Sequence, residues 1–228
     1  MKVKTYLIII IFIIIFIIIY SHIRILTKEN KKLEILQAET PDIKKIQELL
    51  LEKSPTIFRQ VLYSWESIIN IFDKEINEIN IISKDKKFKD DINKNLLSYN
   101  MFLSFGWDYK FYKKKRNDNN FRLENNYRHL ICQIMGEQRI YLVSPYQKDK
   151  FISTKKDNNN HNNIVSTVNF WNEQEISKKP FNQLEYIEII LREGNILYIP
   201  HGWWYLCKVV EESLILDCYN ISLFSFFL

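Results

Sequence analysis

The chain has 228 residues, with 32 Lys and Arg against 27 Asp and Glu and a formal net charge of +5. That length leaves room for one domain of about 180 to 200 residues beside a shorter segment. Much of the basic excess lies near the N-terminus and at 113–116, which excludes a dedicated nucleic-acid-binding surface. Cys132, Cys207 and Cys218, scattered in or beside apolar runs, exclude a disulfide framework and predict buried free thiols in a reducing compartment.

Taken in chain order, Tyr6 to Tyr20 is uninterrupted apolar or aromatic sequence, and the run continues through Ile23, Ile25 and Leu26. At roughly 1.5 Å per residue it matches a hydrocarbon core of roughly 30 Å, so residues 1–26 are expected to form one transmembrane anchor. Lys2 and Lys4 precede the run as they would in a signal peptide, but Tyr-Ser-His-Ile-Arg after it offers no small-x-small cleavage site. Arg24, Lys28, Lys31 and Lys32 outnumber the N-terminal lysines, which predicts a cytoplasmic body.

Residues 27–53 are charged, with Leu33, Ile35, Leu36, Ile43, Ile46, Leu49 and Leu50 at helical spacing. They read as a helical linker, with Thr40 as N-cap and Pro41 at the first helical position. The body is expected over 54–228. Pro55 to Trp65 reads as a strand running into a turn, and Ser67 to Ile82 as an amphipathic helix. Aromatic strand-like pieces follow between Leu97 and Asn126, broken by the run from Lys113 to Asn120, which reads as a solvated loop, with contact to phosphate or acidic lipid as the alternative.

From Tyr127 the pattern is β: Leu130–Ile134, a turn at Gly136, then Arg139–Val143 ending at Pro145. Ser153 to Asn163 is Asn-rich and polar and reads as an exposed loop. Leu184–Leu191 and Ile196–Ile199 flank Glu193-Gly194-Asn195, a hairpin-turn signal, and Leu214–Ile221 closes the domain. Gly136, Gly194 and Gly202 fall at turns. Many short strands so punctuated predict a jelly roll or barrel.

Two blocks carry a resemblance: Asn126-Tyr-Arg-His-Leu-Ile-Cys-Gln133-Ile-Met-Gly136 through Arg139 to Pro145, and Glu193-Gly-Asn-Ile-Leu-Tyr-Ile-Pro200-His-Gly202-Trp-Trp-Tyr205, with Phe170-Trp171 between them. They resemble JmjC/cupin-like dioxygenases over roughly Pro41 to Ser222. The resemblance implies a mostly β domain, a double-stranded β-helix of about eight strands with flanking N-terminal helices. Active members hold Fe(II) with a His-x-Asp/Glu pair on one strand and a distant His on another, beside 2-oxoglutarate.

Those ligand positions fall here on Leu123, Asn125 and Tyr205, and the basic residue that meets 2-oxoglutarate falls on Gln138. The expectation is therefore a domain without catalytic residues, metal or cofactor. Its candidate pocket is lined by Leu123, Asn125, His129, Gln138 and Tyr205, with Glu124 pointing outward by strand alternation. His129 is in phase with 123 and 125. With His201 and Asn125, or with Glu124 if the strand slips by one residue, it would make a makeshift metal site; otherwise it is a barrel histidine bonded to a polar neighbour.

The function so implied is a membrane-anchored binding or scaffold module, with the membrane and a protein or peptide as partners and no nucleic acid. The alternatives are an Fe(II)/2-oxoglutarate hydroxylase or demethylase with atypical ligands, and a structural membrane protein. The single alanine and the abundance of Ile, Asn and Lys suit an AT-rich genome such as that of a large DNA virus.

Overall fold

The computed structural model describes residues 2–27, 32–69, 90, 104–114, 117–150, 154–157 and 160–222. Among them lie twelve strands: β1 (Leu36–Glu39), β2 (Thr56–Arg59), β3 (Ser104–Lys114), β4 (Arg122–Leu123), β5 (Arg128–Met135), β6 (Glu137–Val143), β7 (Thr154–Asp157), β8 (Asn160–Ser166), β9 (Ile187–Arg192), β10 (Ile196–Pro200), β11 (Trp204–Val209) and β12 (Ser213–Ser222). The helices are α1 (Lys2–Thr27), α2 (Ile43–Leu51), α3 (Glu66–Ile69) and α4 (Glu173–Ile176).

The strands form two six-stranded sheets, ordered β1-β2-β10-β5-β12-β3 and β7-β8-β4-β11-β6-β9. From β9 onward, and between β5 and β6, consecutive strands belong to opposite sheets, which is the winding of a double-stranded β-helix. Gly136 (φ 78°) stands between β5 and β6, Gly194 (φ 80°) between β9 and β10, and Gly202 (φ 84°) between β10 and β11. Only glycine turns the chain this way without a Cβ penalty. The Glu193-Gly194-Asn195 turn, expected to close a hairpin, instead passes the chain from one sheet to the other.

Between the sheets packs an apolar core that includes Ile131, Ile140, Leu142, Ile189, Leu191, Leu197, Ile199, Trp203 and Ile215. The outer face of the first sheet is covered by Ile46, Leu50, Leu62, Trp65 and Ile68, and that of the second by Phe121, Val168 and Phe181. Because both faces are covered, β5 is buried at every position but its last and lacks the polar alternation of a half-exposed strand.

The segment expected to be a linker supplies elements of the body. β1 pairs in parallel with β2, and α2 buries Ile46 and Leu50 beneath the sheet, where the Tyr198 hydroxyl donates to the Leu50 carbonyl at 3.3 Å. The helix is capped by Asp42, whose carboxylate accepts from Lys45 N at 2.8 Å, while Thr40, expected at the cap, has φ 38°. The Asn-rich segment expected as a loop carries β7 and β8, which pair with each other. Of the helix expected over 67–82, residues 67–69 fall in α3 and 70–82 lie outside the described residues.

Among the described residues no helix is long and apolar enough to cross a membrane.

Candidate functional site

The mouth of the barrel is organised around His129. β5 lies between β10 and β12, and His129 stands opposite Ile199 on one neighbour and Tyr219 on the other. Its side chain alternates with Leu130 and so shares the inner face with Ile131. It is 0% exposed. Two carboxylates, each 2% exposed, flank it at opposite ring nitrogens: Glu124 Oε2 lies 2.6 Å from Nδ1 and Asp217 Oδ1 lies 3.4 Å from Nε2.

Each acid is itself held. Glu124 Oε1 accepts from the backbone N–H and the side-chain amide of Asn126, both at 2.8 Å. The Glu124 backbone is clamped on both sides by the turn before β11, donating to the Trp203 carbonyl at 2.8 Å and accepting from Gly202 N at 2.8 Å. Asp217 Oδ2 accepts from the Tyr219 hydroxyl at 2.7 Å. The Tyr219 ring stacks on the imidazole at 4.4 Å, and Tyr205 meets it edge-on at 5.5 Å.

Electrostatics makes this histidine a cation. Burial alone would lower its pKa, but the Glu124 and Asp217 carboxylates outweigh burial and push it up to about 10. A neutral tautomer would turn a lone pair toward one carboxylate; the imidazolium is charge-paired with both. Burial pushes the Tyr205 phenol well above its ordinary value, and the same two carboxylates add to the rise, so it stays protonated. His201 Nδ1 sits 3.1 Å from the Asn125 carbonyl, and burial lowers its pKa.

The five pocket candidates do not line one cavity. His129 and Tyr205 meet at the mouth. Leu123 stands opposite Trp204 and packs on the outer cluster with Phe121. Asn125 contributes its carbonyl to His201. Gln138 lies toward the other end of the barrel, donating to Gln133 Oε1 at 2.8 Å, and Gln133 donates on to the Met135 carbonyl at 2.8 Å. His129 and Gln133 are four strand residues apart, about 13 Å, and the apolar core fills the interval.

Glu124 is the main correction, because it faces inward rather than outward. Asp217 and Tyr219 were not singled out in the sequence. An acid at the centre of Leu214-Ile-Leu-Asp217-Cys-Tyr219, an otherwise apolar strand, was the available signal, since buried acids are almost always paired. Among the described residues no group of three His, Cys, Asp or Glu side chains could hold a metal ion. Here the imidazole lies between its two acids, so the three side chains surround a ring instead of converging on a point.

Two solved structures are similar to this chain. Hydroquinone 1,2-dioxygenase from Sphingomonas sp. TTNP3, with 4-hydroxybenzoate bound, has TM-score 0.34 and 10% identity over 55% of this chain and 69% of its own. Hydroquinone 1,2-dioxygenase PnpCD, in complex with Cd2+ and 4-hydroxybenzonitrile, has TM-score 0.32 and 14% identity over 53% and 60%. JmjC domain-containing protein D of Dictyostelium discoideum is 35% identical over 91 residues, 36% of this chain and 18% of that relative's length. Residues 124–227 match the family model of the cupin-like domain. The distal half of the chain is thus similar to a cupin-like domain and to part of that JmjC relative, of whose length the chain spans 18%.

Proposed function

We propose that this chain is a membrane-tethered, catalytically silent cupin-like module that acts as a binding or scaffold domain. The observation that carries the reading is the occupation of both His129 ring nitrogens by Glu124 and Asp217. In JmjC-type enzymes a facial triad presents lone pairs to iron at this mouth. Here the residues do not fit that ion. Leu123 faces away, the Asn125 carbonyl is bonded to His201, and a protonated Tyr205 replaces an imidazole. His129 has no lone pair to give while it is protonated. The imidazolium takes the place of the divalent ion as the cation that neutralises buried carboxylates.

Tethering is supported by α1, along which Tyr6 to Ile17 and Tyr20 are exposed large hydrophobics. A face of that kind is stable in lipid, not in water. The three buried free cysteines suit a body kept in a reducing compartment, on the cytoplasmic side.

Anaerobic titration of the full chain with Fe(II), followed by melting and by succinate release from 2-oxoglutarate, tests the reading. The expected result is an unchanged Tm and no succinate. Stoichiometric iron binding with turnover would establish instead a hydroxylase with atypical ligands.

A further inference from the structure

Among the described residues β1 and β9 are the terminal strands of their respective sheets, and each pairs there on one side only. Between them, on the flank of the sandwich and away from His129, a cleft of about 350 Å³ opens. This volume falls within the range of small-ligand pockets. Its floor is apolar, made by Ile35, Ile57 and Ile189, which belong to or pack against the core between the sheets. Its rim carries Gln37, Arg59, Arg192 and Asn195.

The rim has a consistent polarity. Gln37 Oε1 accepts from Arg59 Nη2 at 2.8 Å, and Asn195 Oδ1 accepts from the Gln60 backbone N–H at 2.9 Å. Each amide oxygen thus accepts one hydrogen bond, and the two hydrogens on Nδ2 or Nε2 remain to donate. Arg192 meets Glu137 through Nε at 3.0 Å, and its side chain is 68% exposed. The one acid on the rim, Glu188, accepts at Oε1 from both Arg139 Nη1 at 2.9 Å and the Tyr141 hydroxyl, so its charge is paired while Oε2 is a remaining acceptor. Spare donors therefore outnumber spare acceptors around an apolar floor.

The geometry points to a binding site for a small carboxylate with an apolar body. The carboxylate meets Arg192 and the amides of Gln37 and Asn195, and the body lies on Ile57 and Ile189. A planar guanidinium suits this group because it donates two parallel hydrogen bonds to a carboxylate. An apolar alcohol would satisfy the floor alone, and inorganic phosphate the rim alone. The inference is independent of the state of His129, which lies elsewhere in the barrel.

Benzoate is the probe, titrated calorimetrically into the full chain in lipid nanodiscs, with benzyl alcohol and inorganic phosphate as counterparts. The expected result is saturable binding of benzoate with Kd of about 1 mM or tighter, and binding of each counterpart at least about tenfold weaker. Arg192→Gln, on an exposed edge, should weaken benzoate at least about tenfold with Tm unchanged. Gln37→Leu, on the opposite wall, is the second variant and should weaken it about threefold. No saturation by about 10 mM benzoate, equal binding of either counterpart, or unweakened binding in both variants overturns the assignment. Iron bound at the mouth would leave these outcomes unaffected.

Discussion

The edge of the Tyr205 ring meets the His129 ring with centroids 5.5 Å apart and planes at 63°. Tyr219 covers the same imidazole from a stacked position, 23° from parallel. The cation is therefore sealed by π-systems as well as paired by carboxylates, and both attract positive charge. Replacing it leaves two buried acids facing each other. His129→Asn should destabilise the fold by about 3 to 5 kcal/mol, the usual cost of breaking a buried pair from one side. Chemical denaturation of the variant and parent checks this; a loss below about 1 kcal/mol would show that water reaches the acids.

Stability should depend on alkaline pH through the same residue. The His129 pKa is about 10 in the folded chain against an ordinary 6.5. A raised folded value means that the histidinium contribution is fully present below about pH 6.5 and is lost as pH rises through about 10. The loss should be on the order of a few kcal/mol. Melting curves across this window should show Tm falling in the parent and falling less in His129→Asn.

Two of the sheet-crossing glycines should respond differently to a methyl group. A Cβ on Gly136 would stand 2.4 Å from the Glu212 carbonyl oxygen, a backbone atom that cannot step aside. One on Gly194 would stand 2.3 Å from the ring of Tyr63, an exposed side chain that can swing away. Both positions also carry the strain of positive φ. Gly136→Ala should cost more than about 1 kcal/mol and exceed the cost of Gly194→Ala, measured as the difference in denaturation midpoint.

Restoring the histidine of the family pattern should not restore metal binding. Tyr205→His would place a second imidazole beside His129, but both nitrogens of His129 remain engaged and no carboxylate is released. Cobalt(II) added to Tyr205→His should give no ligand-field absorption and no rise in Tm. Glu124→Gln combined with Tyr205→His relaxes the pair and is the variant in which weak metal binding is expected.

Much of the fold was legible because its signals are local. The Gln133-Ile-Met-Gly136 turn, the aliphatic runs on either side of it and the Pro200-His-Gly202-Trp-Trp stretch each name their own element. Sheet membership was not legible at Gly194, because the same turn residues serve a hairpin or a crossover and only distant pairing decides between them. The facing of Glu124 was missed for a related reason. Strand alternation does not carry from β5 back through 124–127, because β4 ends at Leu123 and the next strand begins at Arg128, so the period of two does not pass through the residues between them. The Asn-rich stretch misled in the other direction: its composition suits a loop, yet it pairs as a hairpin at the end of a sheet.

Nitrogen-15 spectroscopy of the His129 ring tests the central claim most directly, in the full chain in lipid nanodiscs with histidine labelled selectively. The arrangement of Glu124 and Asp217 predicts that both ring nitrogens carry protons at pH 8, with the imidazolium signature persisting until about pH 10. A single unprotonated nitrogen at pH 8 would mean a neutral ring with a lone pair to offer a metal, and would contradict the account.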